Sequence, residues 1–193
     1  MLPNPANTHI FVISAEGGAS RPVTEGATNN VRPSWSGDGK WIYFGSNRSG
    51  EWQIWKVPSQ GGDAVQVTKR GGREAFESPD GKRLLYAKLS EPGIWSVPVE
   101  GGEETKVMEK AGMNLWAVSK EGICFLEWKD LLHPLMQFYR FRDQRFTTLY
   151  EFPPRTFLER AATALSVSPD ERWVLYTQYD QAGSNLVLVE NFH

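Results

Sequence analysis

Trp35-Ser36-Gly37-Asp38-Gly39-Lys40-Trp41-Ile42-Tyr43-Phe44 joins two apolar runs through a short polar turn. The block returns as Glu77-Ser78-Pro79-Asp80-Gly81-Lys82-Arg83-Leu84-Leu85-Tyr86 and as Val167-Ser168-Pro169-Asp170-Glu171-Arg172-Trp173-Val174-Leu175-Tyr176. A worn copy is Val118-Ser119-Lys120-Glu121-Gly122-Ile123-Cys124-Phe125. The four serines stand at intervals of 42, 41 and 49 residues. Proline at the second turn position has its φ pre-set, aspartate accepts backbone amides, and glycine takes the positive φ that closes the turn. Each block therefore reads as a tight hairpin between two short strands.

A second block keeps the same rhythm. Ile54-Trp55-Lys56-Val57-Pro58-Ser59-Gln60-Gly61-Gly62 matches Ile94-Trp95-Ser96-Val97-Pro98-Val99-Glu100-Gly101-Gly102 and, upstream, Ile10-Phe11-Val12-Ile13-Ser14-Ala15-Glu16-Gly17-Gly18. Phe138-Tyr139-Arg140-Phe141 and Leu186-Val187-Leu188-Val189 hold the equivalent place downstream. A period of about 40 residues built from short β-branched and aromatic runs fits a four-stranded blade; a helical repeat of that length needs long amphipathic helices, which are missing. The best repeat gives strands at Val31–Trp35, Trp41–Phe44, Trp52–Val57 and Ala64–Thr68. The expected fold is all-β: a β-propeller of four-stranded antiparallel blades, about four to five blade units, incomplete at both termini. The boundaries expected are a partial blade at 1–28, blades at 29–69, 70–110 and 111–152, and a three-stranded terminal blade at 153–193.

The residues from Arg32 to Trp55 resemble the TolB-type WD-like repeat of bacterial proteins, which is similar in turn to the propellers of dipeptidyl peptidase and prolyl oligopeptidase relatives. The resemblance runs through nearly the whole chain, strongest over Asn30 to Gly102 and Ser166 to Tyr176. It implies a propeller and is specific for the fold but poor for function. The ending Leu186-Val187-Leu188-Val189-Glu190-Asn191-Phe192 is similar to the C-terminus of large bacterial regulators that carry a winged-helix DNA-binding domain ahead of such a propeller. Repeat four departs from the pattern: Lys120-Glu121-Gly122 replaces Pro-Asp-Gly, and a longer loop carrying His133 is expected between its second and third strands.

Composition narrows the function classes. With 40% hydrophobic and 23% charged residues the chain is ordinary globular protein, and a net charge of -2 provides no field for nucleic acid. No apolar run approaches a membrane span, and Met1-Leu2-Pro3-Asn4-Pro5 is not a signal sequence, so the chain as written is expected in the cytoplasm, or in the periplasm if it is a fragment of a longer protein. Cys124 is the single cysteine and reads as a small buried hydrophobe. The turn aspartates recur singly, without the dense spacing of a calcium loop.

Strand counting places a pair at Ile10–Ile13 and Arg21–Thr24 before the full blades, and three strands at Ala164–Val167, Trp173–Thr177 and Asn185–Val189 after them. Closure within one chain gives about four blades, whereas two chains completing each other's terminal blade give about eight. The expectation is a homodimeric ring or a piece of a longer propeller.

No nucleophile elbow, P-loop or dinucleotide fingerprint occurs, so no catalytic residue, cofactor or metal is assigned. The inner strands offer Arg32, Glu74, Leu115 and Ala164 at matching positions, a poor catalytic set. One propeller face carries the connections between second and third strands and between blades. On it are expected Arg48, Trp52, Lys69, Arg70 and Arg73, together with Trp128, Lys129, His133 and Arg155. Basic side chains beside aromatics suit an acidic peptide or a partner's carboxylates. Trp35, Trp41, Trp55, Trp95, Trp116 and Trp173 are expected in the packing between blades. The leading expectation is a non-catalytic module for a protein or peptide partner, the sensor or interaction part of a bacterial regulator; the alternatives are a lyase or hydrolase working in the propeller channel and a purely structural ring subunit.

Overall fold

The computed structural model describes residues 7–158, 165–180 and 183–190. All its regular elements are strands, and the fold is a β-propeller of antiparallel four-stranded blades. The chain divides into two compact units, the first ending at Glu109 and the second beginning at Lys110.

In the first unit, β1 (Phe11–Val12) and β2 (Arg21–Pro22) form a short pair. Blade 1 follows in chain order as β3 (Asn30–Trp35), β4 (Trp41–Ser49), β5 (Glu51–Pro58) and β6 (Val65–Gln66). Blade 2 repeats it with β7 (Glu74–Glu77), β8 (Arg83–Ala87), β9 (Ile94–Pro98) and β10 (Thr105–Met108). Alternating strand residues face the neighbouring sheet, so the cores lie between blades. Ile10, Val23, Ile42, Phe44 and Val57 join the first pair to blade 1. Tyr43, Ile54, Val67, Ala75, Leu84, Tyr86 and Val97 join blade 1 to blade 2. Each of the fully buried aliphatic side chains contributes about 1.5–3 kcal/mol.

In the second unit, blade 3 is β11 (Trp116–Val118), β12 (Gly122–Asp130), β13 (His133–Arg140) and β14 (Phe146–Glu151). The terminal sheet has β16 (Leu165–Val167), β17 (Trp173–Asp180) and β18 (Gly183–Glu190). A further strand, β15 (Phe157–Leu158), pairs with Gln178 and Tyr179 of β17, while β16 pairs with Val174 to Tyr176. β15 and β16 thus follow one another along a single edge of β17. The sequence had suggested no strand at Phe157. Ala117, Cys124, Leu126, Met136, Phe152, Leu165, Val174 and Tyr176 pack together between the two sheets. Cys124 is fully buried, and burial pushes its thiol up to about 12.

The serine–aspartate turns have one geometry in three copies. Ser36 Oγ donates to Asp38 Oδ1 at 2.7 Å and accepts from the Trp41 amide at 2.9 Å, while the Lys40 amide donates to Asp38 at 3.0 Å. Ser78 and Asp80, and Ser168 and Asp170, make the same three bonds with the residues that follow them. The residue closing each turn takes positive φ: Gly39 at 71°, Gly81 at 68° and Glu171 at 58°.

Two expectations are corrected. The connection after β12 is not a long loop: Asp130 pairs with His133 across a two-residue turn, Leu131-Leu132. Asp130 replaces a turn glycine, its Oδ1 accepting from the Leu132 amide at 2.9 Å. Trp35 is not packed between blades; it is the last residue of β3, outside the neighbouring core, and 54% exposed. Four of the other strand tryptophans behave differently. Trp116 is fully buried, Trp41 and Trp95 pack on the core between blades 1 and 2, and Trp55 packs on the preceding one. Ala164 lies outside the described residues.

Candidate functional site

The expected partner-binding residues fall into two groups, one in each unit. In the first unit Arg48 and Trp52 belong to strands β4 and β5, on either side of the Gly50 turn. Arg48 is internally engaged: its Nη2 donates to Asn30 Oδ1 at 2.9 Å, its Nε to Ser46 Oγ at 3.2 Å, and its guanidinium lies 4.9 Å from the Trp55 ring centre. These bonds hold the start of β3 against the end of β4, so Arg48 works as a structural tie.

Arg73 is differently placed. It immediately precedes β7, and its guanidinium stacks 4.7 Å from the centre of the Trp52 ring. Its Nε is buried and, among the described residues, has no hydrogen-bond partner. Burial draws its pKa below the ordinary guanidinium value; the nearby Arg32 charge adds to this and Glu74 opposes it. Arg32 reaches Glu74 at 3.3 Å from a bulge in β3, where its φ of 55° departs from the strand. Such a bulge re-aims a side chain. Glu74, largely buried, is thus paired with Arg32, while Arg73, stacked on the tryptophan face, feels the charges of both. An isolated guanidinium stripped of part of its water gains most from an incoming carboxylate.

Lys69 and Arg70 lie in the loop that leads to Arg73, and both are exposed. Their backbone amides donate to Glu104 Oε1 at 2.6 and 3.2 Å, and Tyr86 donates to Glu104 Oε2 at 2.5 Å. Glu104 thus pins the loop backbone while both basic side chains project outward. Sequence reading missed this clamp; its only trace was an acidic residue shortly after the Gly101-Gly102 turn.

In the second unit Trp128 and Lys129 end β12 and His133 begins β13, so all three lie on one hairpin. Trp128 packs against the core beneath, and His133 Nδ1 lies 2.7 Å from Asp130 Oδ1. The Leu132 amide and His133 hold the Asp130 carboxyl below its ordinary value, the amide having the larger effect. Arg155 joins them through its backbone, donating to Leu132 O at 2.7 Å with a φ of 66°. At the tip Leu131 is 97% exposed. The structure therefore brings Trp128, Lys129, His133 and Arg155 together around a hairpin with a bare leucine. Among the described residues no group of three or more His, Cys, Asp or Glu is arranged to hold a metal ion. No helix there is long and apolar enough to cross a membrane.

The profile of the TolB beta propeller domain matches residues 2–125. The chain is similar to TolB from Acinetobacter baumannii, with a TM-score of 0.78 and 19% identity over 94% of this chain and 46% of that one. It is similar to an oligogalacturonate lyase from Vibrio parahaemolyticus, with a TM-score of 0.64 and 14% identity over 93% of this chain and 58% of that one. At such identities the likeness shows the fold alone. By sequence it is 35% identical over 85 residues to dipeptidyl-peptidase 5 of Porphyromonas endodontalis, covering 43% of this chain and 12% of the peptidase. An uncharacterized protein of Agrobacterium fabrum is 33% identical over 79 residues, 40% of this chain and 27% of that protein. The matched stretch is thus a small part of either curated relative.

Proposed function

We propose that this chain, which belongs to the TolB beta propeller domain family, acts as a non-catalytic module that binds a protein or peptide through acidic groups of that partner. The observation that carries the reading is Arg73: stacked on Trp52, with a buried Nε that has no partner among the described residues, and neighboured by a second arginine. A carboxylate arriving there replaces lost hydration with charge-assisted hydrogen bonds, while Trp52 supplies a flat apolar platform. Lys69 and Arg70 extend the positive surface into the pinned loop. Lys129, His133 and Arg155 form a second basic group around the Leu131 tip.

The test is capture of acidic peptides from a sequence-randomised pool by immobilised wild-type chain and by the Arg70→Ala/Arg73→Ala variant. Loss of a charge-assisted contact of about 1.5–3 kcal/mol weakens binding roughly tenfold or more. Capture that is unchanged in the variant, or insensitive to salt, overturns the reading. The names of the relatives include a peptidase and a lyase, so a broad hydrolase and lyase screen with metal analysis accompanies the experiment.

A further inference from the structure

The repeat lets one blade be compared with another position by position. In blade 1, Ile42 is the residue that pairs with both Trp35 and Val57, and Tyr43 follows it. In blade 3, Ile123 pairs with both Val118 and Tyr139, and Cys124 follows it. Cys124 therefore occupies the register of Tyr43. The Tyr43 ring fills the space between blades 1 and 2, and its hydroxyl donates to Glu77 Oε2 at 2.8 Å. Glu77 Oε1 in turn accepts from the amide of Gly37, the residue after Ser36, at 3.1 Å.

A cysteine cannot fill the volume of a phenol ring. Beside Cys124, between blade 3 and the terminal sheet, is a half-open pocket of about 230 Å³, lined by Cys124, Phe138, Leu149 and Val167 together with the polar Ser119, Arg140, Arg142 and Glu171. Glu171 accepts from the amide of Lys120, the residue after Ser119, as Glu77 does from Gly37. The two carboxylates come from different positions, since Val167 and not Glu171 stands in the place of Glu77. They nevertheless converge on one spot: a Cβ added at Gly81, the turn position equivalent to Glu171, would stand 3.3 Å from Glu77 Oε1. Blade 3 thus keeps the amide and the carboxylate of the blade 1 arrangement and lacks the ring that joins them.

We propose that this pocket is a binding site for a phenolic ring, whose hydroxyl donates to the second oxygen of Glu171 as Tyr43 donates to Glu77. The apolar side chains of the lining take the ring, and the volume is sufficient, since about 150 Å³ holds benzene in an enclosed cavity. The ring belongs either to a free phenol or to a tyrosine of a partner, and the two sources share this chemistry.

Calorimetric titration of the purified chain with p-cresol, toluene and N-acetyltyrosinamide tests the site. We expect saturable p-cresol binding about tenfold tighter than toluene, the ratio a hydrogen bond to a charged acceptor provides. E171Q, which keeps an acceptor for Lys120, brings p-cresol to the level of toluene. C124Y supplies the ring from within and abolishes binding of both. If C124Y does not fold, the E171Q comparison decides alone. Binding of N-acetyltyrosinamide in competition with p-cresol identifies a partner's tyrosine as an acceptable source; binding of p-cresol alone identifies a free phenol. No saturable binding, equal affinity for p-cresol and toluene, or an unchanged ratio in E171Q overturns the proposal.

Discussion

Asp38, Asp80 and Asp170 sit at the surface, yet each carboxylate organises a turn by accepting from a serine hydroxyl and from an amide two residues on. These bonds favour the ionised form. Asp38 is lowered from 3.8 to about 2, chiefly by the Lys40 amide, and Asp80 and Asp170 are lowered chiefly by Ser78 and Ser168. A depressed carboxyl stabilises the fold above its unfolded pKa, and that contribution is lost as pH falls through the folded value. The expected outcome is a decline in melting temperature between about pH 4 and pH 2 that becomes shallower in D38N/D80N/D170N. Circular dichroism melts across that range check it, and parallel curves for the two proteins would refute the assignment. These turns were legible in the sequence because Pro, Asp and Gly each have a local mechanism. Glu171 was not: its φ of 58° sits where two sister repeats use glycine.

At the scale of elements, the strand between two turns was easier to read than the turn itself. β12 and β13 run on to Asp130 and from His133, and the turn between them carries Leu131 and Leu132, neither a turn former. Without Gly, Pro or Asn the segment reads as irregular loop; the signal was Asp130, whose side chain does the work of a turn residue. The candidate site was partly legible for the same reason. Basic and aromatic residues could be assigned to one end of a blade, but the engagement of Arg48 and the unfilled Nε of Arg73 depend on contacts between strands distant in sequence. Sheet-to-sheet approach yields a sharp prediction. A Cβ on Gly45 of β4 would lie 2.3 Å from Arg73 O, just before β7, and the clash is with backbone. Gly45→Ala therefore forces blades 1 and 2 apart and costs about 1–3 kcal/mol. Urea unfolding should show a lower midpoint with the slope preserved. A midpoint equal to wild type would mean that the strands do not approach so closely.

At the scale of the whole molecule, the clusters seen among the described residues lie between sheets adjacent in sequence. Repeats of this kind are stabilised largely by nearest-neighbour interfaces, so local opening is set by the interface that a residue belongs to. The chain has a built-in reporter for one of them. Cys124 is its only cysteine, fully buried in the core between blade 3 and the terminal sheet, and burial pushes its thiol up to about 12. A thiol reagent too bulky for the adjoining pocket reaches it only when that interface opens. Phe152 belongs to the same core, with its ring edge-on to Tyr150 and Tyr176 at centroid distances of 4.9 and 5.1 Å. Truncating it to alanine costs about 3–5 kcal/mol. If closing outpaces labelling, the rate follows the open population, and a loss of about 3 kcal/mol raises it roughly a hundredfold. Labelling of native wild-type chain should therefore be slow, and Phe152→Ala should speed it by about two orders of magnitude while the unfolded chains react alike. Fast labelling of the wild type, or equal native rates in the two proteins, would show that Cys124 is not sealed by this core.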